Sequence, residues 1–290
     1  MNNLEKIING KEISQNIKDE IKLEIENLKK ETGKIPGLAV ILVGNDPASN
    51  VYVGSKEKTC LSLGFYSEKY VLPENASEDE LLDKINELNK NVDIDGILVQ
   101  LPLPKHINSD KILNSILPEK DVDGFHPINV GKLMIGADDG FFPCTPYGII
   151  ELLKRKNIKI DGKNAVIVGR SNIVGKPISL MLLKENATVT ICHSRTKDLN
   201  SVVKGADIIV AAIGKAKFIN KDMVKDGAII IDVGINRIDG STKLYGDVDY
   251  DSVFDKISYI TPVPGGVGPM TIAMLMKNTL ISFKRRVNKI

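Results

Sequence analysis

The sequence is poor in cysteine, in histidine and in net charge, and each shortage removes a class of function. The three cysteines, Cys60, Cys144 and Cys192, are odd in number and far apart. That argues against a disulfide framework and for a soluble protein of a reducing compartment, the cytoplasm. The three histidines, His106, His126 and His193, do not stand near them at metal-ligand spacing, so no metal is expected. Acids and bases are interspersed and the net charge is only +2, which offers nucleic acid no favourable field. One basic cluster, Lys284-Arg285-Arg286, reads as the dipole complement at the end of a terminal helix. No apolar run approaches membrane-spanning length, and the opening MNNLEKIINGKEI lacks the apolar core of a signal peptide. No repeat or low-complexity tract is evident. What remains is 290 residues with 42% hydrophobic content, enough for two domains with sizeable cores.

The pattern along the chain is α/β. Ile13, Ile17, Ile21, Ile25 and Leu28 step by three or four and predict a long amphipathic helix ending near Gly33. Leu38–Val43 is a buried-type strand, and Asp46-Pro47 caps and opens a helix that runs to about Gly64. Phe65–Leu72 is a second strand, and Ser77 with Glu80 forms a capping box ahead of a third helix. Ile94–Gln100 is a third strand, stopped by Leu101-Pro102-Leu103-Pro104. Between Lys120 and Pro146 periodicity gives way to Gly, Pro and Asp, as at a domain junction. A helix from Thr145-Pro146 then leads to strands at Ala165–Val168, Ala187–Cys192, Asp207–Ile213, Ala228–Val233 and Ser258–Thr261, with a terminal helix carrying Leu275, Leu280 and Ile281.

The most informative stretch is Lys163–Leu183, a buried strand followed by a glycine-bracketed turn and a helix on which Ile178, Leu182 and Leu183 recur. A helix starting there points free N–H groups at the sheet's carboxyl edge, where a phosphate binds. Gly169 and Gly175 leave the backbone open to a pyrophosphate, although Gly169-x-Ser171-x-x-x-Gly175 departs from G-x-G-x-x-G and also suits a turn packed for its own sake. After the next strand come His193, Ser194, Arg195 and Thr196, where an NAD-specific site places a carboxylate. A hydroxyl and a guanidinium without that carboxylate favour the 2′-phosphate of NADP. Either Arg195 or Arg170 taken singly also reads as a solvated loop charge.

Elsewhere, Tyr52 and Lys56 lie four apart on one helix face, either as an aromatic platform with a proton carrier or as a surface contact. Gln100 ends the third strand at a sheet's carboxyl edge, where α/β folds build sites. Asp123, in Asp121-Val122-Asp123-Gly124, faces either substrate or solvent. Asp232-Val233-Gly234-Ile235 ends a strand, and Thr261–Thr271 is rich in proline and glycine, which suits a shaped cleft wall better than a linker.

Taken together, Ser49–Lys56, Val99–Pro104, Lys120–Phe125, Pro143–Pro146, Gly169–Pro177 and Pro262–Thr271 resemble the bifunctional methylenetetrahydrofolate dehydrogenase/methenyltetrahydrofolate cyclohydrolase family over nearly the whole chain. The resemblance implies two α/β domains with a cleft between them. Residues 1–140 would form the catalytic folate-binding domain, completed by the terminal helix at 270–290. Residues 141–269 would form a Rossmann-type NADP-binding domain. It implies NADP-dependent oxidation of 5,10-methylenetetrahydrofolate, hydrolysis of the methenyl product to 10-formyltetrahydrofolate, a place in one-carbon metabolism and purine biosynthesis, polyglutamylated folates as substrates, and a homodimer. It assigns Lys56 as the central catalytic residue, Tyr52 and Gln100 as its partners and Asp123 as the folate anchor. Pro262 and Gly266 are assigned to substrate, and Gly169, Arg170, Ser171, Ser194, Arg195, Ile235 and Thr145 to the nucleotide. A dehydrogenase without hydrolase activity, a shikimate-type NADP dehydrogenase and an NADP-sensing module are the competing readings.

Overall fold

The structure is a computed structural model that describes residues 4–238 and 240–289. The outermost domain limits read from the sequence, 1 and 290, lie outside them. Chain contacts divide the molecule into a unit of residues 1–15 with 145–271 and a unit of residues 16–144 with 272–290. The described residues up to Gln15 therefore cluster with residues 145–271. Their anchor is local: Ile8 N–H donates to Ile260 O at 2.8 Å and Lys11 N–H to Gly265 O at 3.1 Å.

In order, the helices are α1 (Gly10–Thr32), α2 (Pro47–Leu63), α3 (Glu78–Lys90), α4 (Ser109–Ser115), α5 (Pro127–Met134), α6 (Cys144–Arg155), α7 (Gly175–Lys184), α8 (Leu199–Lys204), α9 (Tyr250–Val253) and α10 (Val267–Arg286). The strands are β1 (Gly37–Val43), β2 (Tyr66–Leu72), β3 (Gly96–Val99), β4 (Asn164–Val168), β5 (Thr188–Cys192), β6 (Ile208–Ala211), β7 (Ile229–Asp232), β8 (Asn236–Arg237), β9 (Leu244–Tyr245) and β10 (Tyr259–Ile260).

The unit of residues 16–144 and 272–290 holds a parallel sheet in the order β2-β1-β3. Every residue of β1 and β3 is buried, as continuous apolar strands in a parallel sheet require. β2 lies at the edge and alternates partly exposed with exposed positions, so it carries Ser67, Glu68 and Lys69. The predicted local signals are present: Asp46 accepts from Ser49 N–H at 2.7 Å, and Ser77 and Glu80 close their capping box. Gly64 ends α2 in a left-handed conformation that suits glycine.

Helices α4 and α5 went unread because both are short, and α5 falls inside the Gly/Pro/Asp stretch taken as a junction. The basic cluster does more than complement a dipole. Arg286 forks onto Asp95 (2.6 and 3.0 Å), Lys284 reaches Glu24 at 2.7 Å, and Arg285 lies 4.7 Å over the Phe141 ring. These contacts tie the end of α10 into its own unit.

The other unit holds a five-stranded parallel sheet in the order β10-β7-β6-β4-β5. The chain goes from β4 outward to β5, then returns past β4 to β6 and β7. Strand order thus reverses between β4 and β6, the topological switch point at which α/β sheets open a crevice beyond their carboxyl ends. β6 and β7 are fully buried and each is shorter than its predicted run, since the flanking residues turn away to make loops. On α7, Ile178 and Leu182 are buried, but Leu183 is exposed and does not belong to the apolar face.

Candidate active site

In the three-stranded unit, α2 and the end of β3 bring a lysine and an amide together. Lys56 is only 8% exposed and its Nζ donates to Gln100 Oε1 at 2.9 Å. A surface Tyr–Lys contact is therefore not what α2 presents. Gln100 is held in turn: its N–H donates to Ile41 O at 2.8 Å and its Nε2 to Leu101 O at 2.7 Å. With the amide nitrogen committed, the carbonyl oxygen is left to face the ammonium. Tyr52, one turn before Lys56, is half exposed and leaves its ring free to stack.

The carboxylates of the 121–124 loop divide their roles. Asp121 is buried and accepts from Phe125 N–H (3.2 Å), His126 N–H (2.8 Å) and Asn129 Nδ2 (2.8 Å), which makes it the scaffold of its own turn. Burial pushes its pKa up to about 6 against those bonds. Asp123 is partly buried and is the carboxylate that senses Lys56. Burial raises the Asp123 pKa, opposed by the lysine charge and by the Cys144 thiol. Burial lowers the Lys56 pKa, opposed mainly by Asp123. Cys144, one of the three isolated cysteines, is not among the site residues expected from the sequence. Its buried thiol sits 3.4 Å from Val122 O, and the Asn278 amide donates to the same carbonyl at 2.8 Å. Gly124 has φ +75° and its missing Cβ would stand 2.7 Å from Phe142 C, so this loop closes only with glycine.

In the five-stranded unit, the turn after β4 lies at the switch point. Gly169 has φ +137°, and a Cβ there would stand 2.2 Å from Ala212 O, at the end of β6. A Cβ on Gly175 would stand 2.3 Å from Gly169 O. Ser171 Oγ accepts from Val174 N–H at 3.1 Å and Gly175 N–H at 3.2 Å, supplying the cap that Val174 cannot. After β5, His193 N–H donates to Thr196 Oγ1, Thr196 N–H donates back to His193 O, and His193 Nδ1 accepts from Arg195 N–H, in a turn that leaves Ser194 and Arg195 exposed. Arg170 is exposed as well, and Ile235 is half exposed beyond β7. Thr145 Oγ1 lies 2.9 Å from Thr271 Oγ1. Pro262 and Gly266 belong to this unit, in a turn where a Gly266 Cβ would meet Pro262 O at 2.6 Å.

The geometry thus collects Lys56, Gln100 and Asp123 in one unit with Tyr52 on the same helix, and sets the nucleotide candidates along the sheet edge of the other. A glycine cradle that side chains would fill, at the switch point of a parallel sheet, fits a dinucleotide, and the exposed Ser194 and Arg195 fit a phosphate on its ribose. These features define a two-unit α/β protein with a dinucleotide-binding half and a buried lysine site. Two family models match the chain. The tetrahydrofolate dehydrogenase/cyclohydrolase catalytic domain matches residues 8–123, and its NAD(P)-binding domain matches residues 143–287. The chain belongs to this family. It is 61% identical over 279 residues to the bifunctional protein FolD of Agathobacter rectalis, covering 96% of this chain and 99% of the relative. The crystal structure of FolD from Campylobacter jejuni superposes with a TM-score of 0.95 at 54% identity, over 97% of this chain and 99% of that one. The Trypanosoma brucei enzyme, solved with NADP and an inhibitor, gives 0.93 at 39% identity over 97% and 98%. Membership sets aside the shikimate-type and sensor readings. Among the described residues, no helix is long and apolar enough to cross a membrane.

Proposed function

We propose that this protein oxidises 5,10-methylenetetrahydrofolate with NADP and hydrolyses the methenyl product to 10-formyltetrahydrofolate, using Lys56 for the proton movements of the second step. The observation that supports this reading is the buried Lys56 ammonium bonded to Gln100 Oε1 with Asp123 as its counter-charge.

Asp123 would anchor the pterin, whose ring N–H and amino group form a donor pair that one carboxylate accepts with both oxygens. Tyr52 would stack on the substrate's aromatic portion. When bound, NADP supplies the hydride acceptor. Loss of hydride from the methylene bridge leaves a methenyl cation, so for that step the chain's residues need to orient more than to ionise anything. Hydrolysis asks for more. Water adds to the cationic carbon and loses a proton, and the bond to one folate nitrogen then breaks as that nitrogen gains a proton. A lysine whose pKa is lowered by burial exchanges protons nearer neutral pH than an exposed one. Gln100, its own amide nitrogen committed to Leu101 O, would keep the ammonium aimed.

On the nucleotide side, Gly169, Arg170, Ser171, Ser194, Arg195, Ile235 and Thr145 would hold NADP, with Arg195 and Ser194 at the 2′-phosphate. Pro262 and Gly266 would meet the folate. Polyglutamylated folates as substrates, a homodimer as the working state and the cytoplasm as location complete the reading. The decisive assay supplies methylenetetrahydrofolate with NADP or NAD and follows methenyl absorbance and its decay. Formation and decay with NADP preferred are expected. Formation without decay would leave a dehydrogenase only, and an NAD preference would remove the phosphate role of Arg195.

A further inference from the structure

Two acidic side chains of the five-stranded unit are fully enclosed and take no part in the chemistry above, Asp232 and Asp247. Asp232, the last residue of β7, accepts from Gly234 N–H (3.0 Å), Asp247 N–H (2.9 Å) and Val248 N–H (3.0 Å). Asp247 accepts four donors. Its Oδ2 takes Ile213 N–H at 2.6 Å and Gly214 N–H at 2.9 Å, while its Oδ1 takes Lys215 N–H and Asn236 Nδ2, both at 2.9 Å. Two glycines make room for the carboxylates. A Cβ on Gly246 would stand 1.8 Å from Asp232 Oδ2, and one on Gly234 would stand 2.2 Å from Asp247 Oδ1.

The donors to Asp247 come from two segments that follow β6 and β7, the 213–215 loop and the start of β8. Residues 213–215 directly follow Ala212, whose N–H donates to Val168 O at 2.9 Å and whose carbonyl abuts the missing Cβ of Gly169. Asn236 directly follows Ile235. One carboxylate therefore ties the loop beside the glycine turn to the loop that carries Ile235, and three consecutive amides that would otherwise point elsewhere are aimed at it.

We infer that Asp247 is a positioning residue for the nucleotide, fixing the 213–215 loop and the Ile235 loop in the arrangement that receives it. The inference rests on the reading that NADP binds at the Gly169 turn. Asp247→Asn has the same size, yet either rotation of the amide turns its NH₂ toward N–H donors. The full-length variant should show a KM for NADP raised about ten- to a hundredfold, the loss of a charge-assisted bond. Its kcat at saturating NADP and its hydrolysis of supplied methenyltetrahydrofolate should stay near wild type. Asn236→Ala removes one donor and leaves three, and should raise the same KM about two- to tenfold. If circular dichroism shows Asp247→Asn unfolded, Asn236→Ala decides the matter. An unchanged KM for NADP in whichever folded variant is tested, or an equal fall in both activities, overturns the positioning role. Gly169→Ala separates the two levels: if it binds NADP as wild type does, the site reading fails and the inference with it. If it loses NADP while Asp247→Asn and Asn236→Ala keep it, only the inference fails.

Discussion

Gln100 and Gly169 stand one residue past the ends of β3 and β4, at equivalent places on two parallel sheets. Around Gln100 the chain works with side chains: an amide held by backbone carbonyl contact, a buried lysine bonded to it and a carboxylate that senses the lysine. Around Gly169 it works by omitting them, and Cβ atoms at 169 and 175 would lie 2.2 and 2.3 Å from backbone oxygens. The difference follows from what each place must hold. A proton carrier needs a charge whose pKa is set by burial and neighbours, so it must be enclosed. A pyrophosphate needs backbone N–H groups at close approach, so it must be met by an open turn. The first site is already hydrogen-bonded within the protein, and the second leaves Ser194 and Arg195 exposed.

The comparison breaks first at Lys56. Lys56→Met keeps the stem and loses the charge and all three donors. Hydrolysis should fall about 10²–10⁴-fold, with oxidation less affected and methenyl product accumulating in the coupled absorbance assay. Equal small losses in both steps would make Lys56 a bystander. A milder variant tests how it is tuned. Gln100 Oε1 bonds the charged lysine, so Gln100→Met should lower the Lys56 pKa further and move the alkaline limb of the hydrolysis profile to lower pH. Stability carries the matching sign. Because the folded lysine titrates below its ordinary 10.5, the unfolded chain binds more protons in that window, and this group's contribution to stability rises with pH across it.

Asp123→Asn comes next. An amide accepts one pterin donor and opposes the other, so the KM for folate should rise about ten- to a hundredfold in both activities. NADP affinity should be unchanged, because the nucleotide candidates belong to the other unit. Unaltered folate binding by titration would return Asp123 to the role of a turn residue, which Asp121 already fills.

How legible these sites were in the sequence differs in the same way. The β4 turn could be read because glycine, strand and helix are contiguous, and the reason for each glycine is local. The α2 pair was legible as spacing only. Whether Lys56 was core, surface or site depended on Gln100, 44 residues away, which no periodicity connects to it. Buried strands and the capped helices α2 and α3 were read well, since their signals lie within a few residues. Helix α5 was lost among glycine and proline, its N-cap being His126, whose ring nitrogen accepts from Ile128 N–H. Asp232 and Asp247 were invisible as partners, because most of their donors are backbone amides remote in sequence. The only trace was the pairing of Asp232 with Gly234 and of Asp247 with Gly246, glycines whose purpose needs the fold to explain.

Arg195 sharpens the nucleotide half. As an exposed guanidinium with no bonded carboxylate among the described residues, it should act on the ligand and not on the fold. Arg195→Ala should raise the KM for NADP by a contact of about 1.5–3 kcal/mol while leaving NAD use and the unfolding temperature unchanged. If Arg170→Ala has that effect instead, the phosphate is read from the glycine turn and not from the loop after β5.

Ser171 yields the smallest effect and the finest distinction. In the lysine unit the caps of α2 and α3, Asp46 and Ser77, are separate from the residues that meet Lys56. In the nucleotide unit Ser171 caps α7 from inside the cradle, so local stability and ligand binding meet on one hydroxyl. Ser171→Ala leaves the Val174 and Gly175 amides without that acceptor and should cost about 1 kcal/mol of stability, as other cap deletions do. Thermal unfolding without NADP should register the loss, and the KM for NADP should rise in parallel because the same two amides lose their aim. Hydrolysis of supplied methenyltetrahydrofolate, measured well below the unfolding temperature, should not change. A lost NADP affinity with undiminished stability would mean that the hydroxyl serves the ligand alone and that α7 needs no cap there. In that case the nucleotide half, like the lysine half, would keep its caps and its binding groups apart.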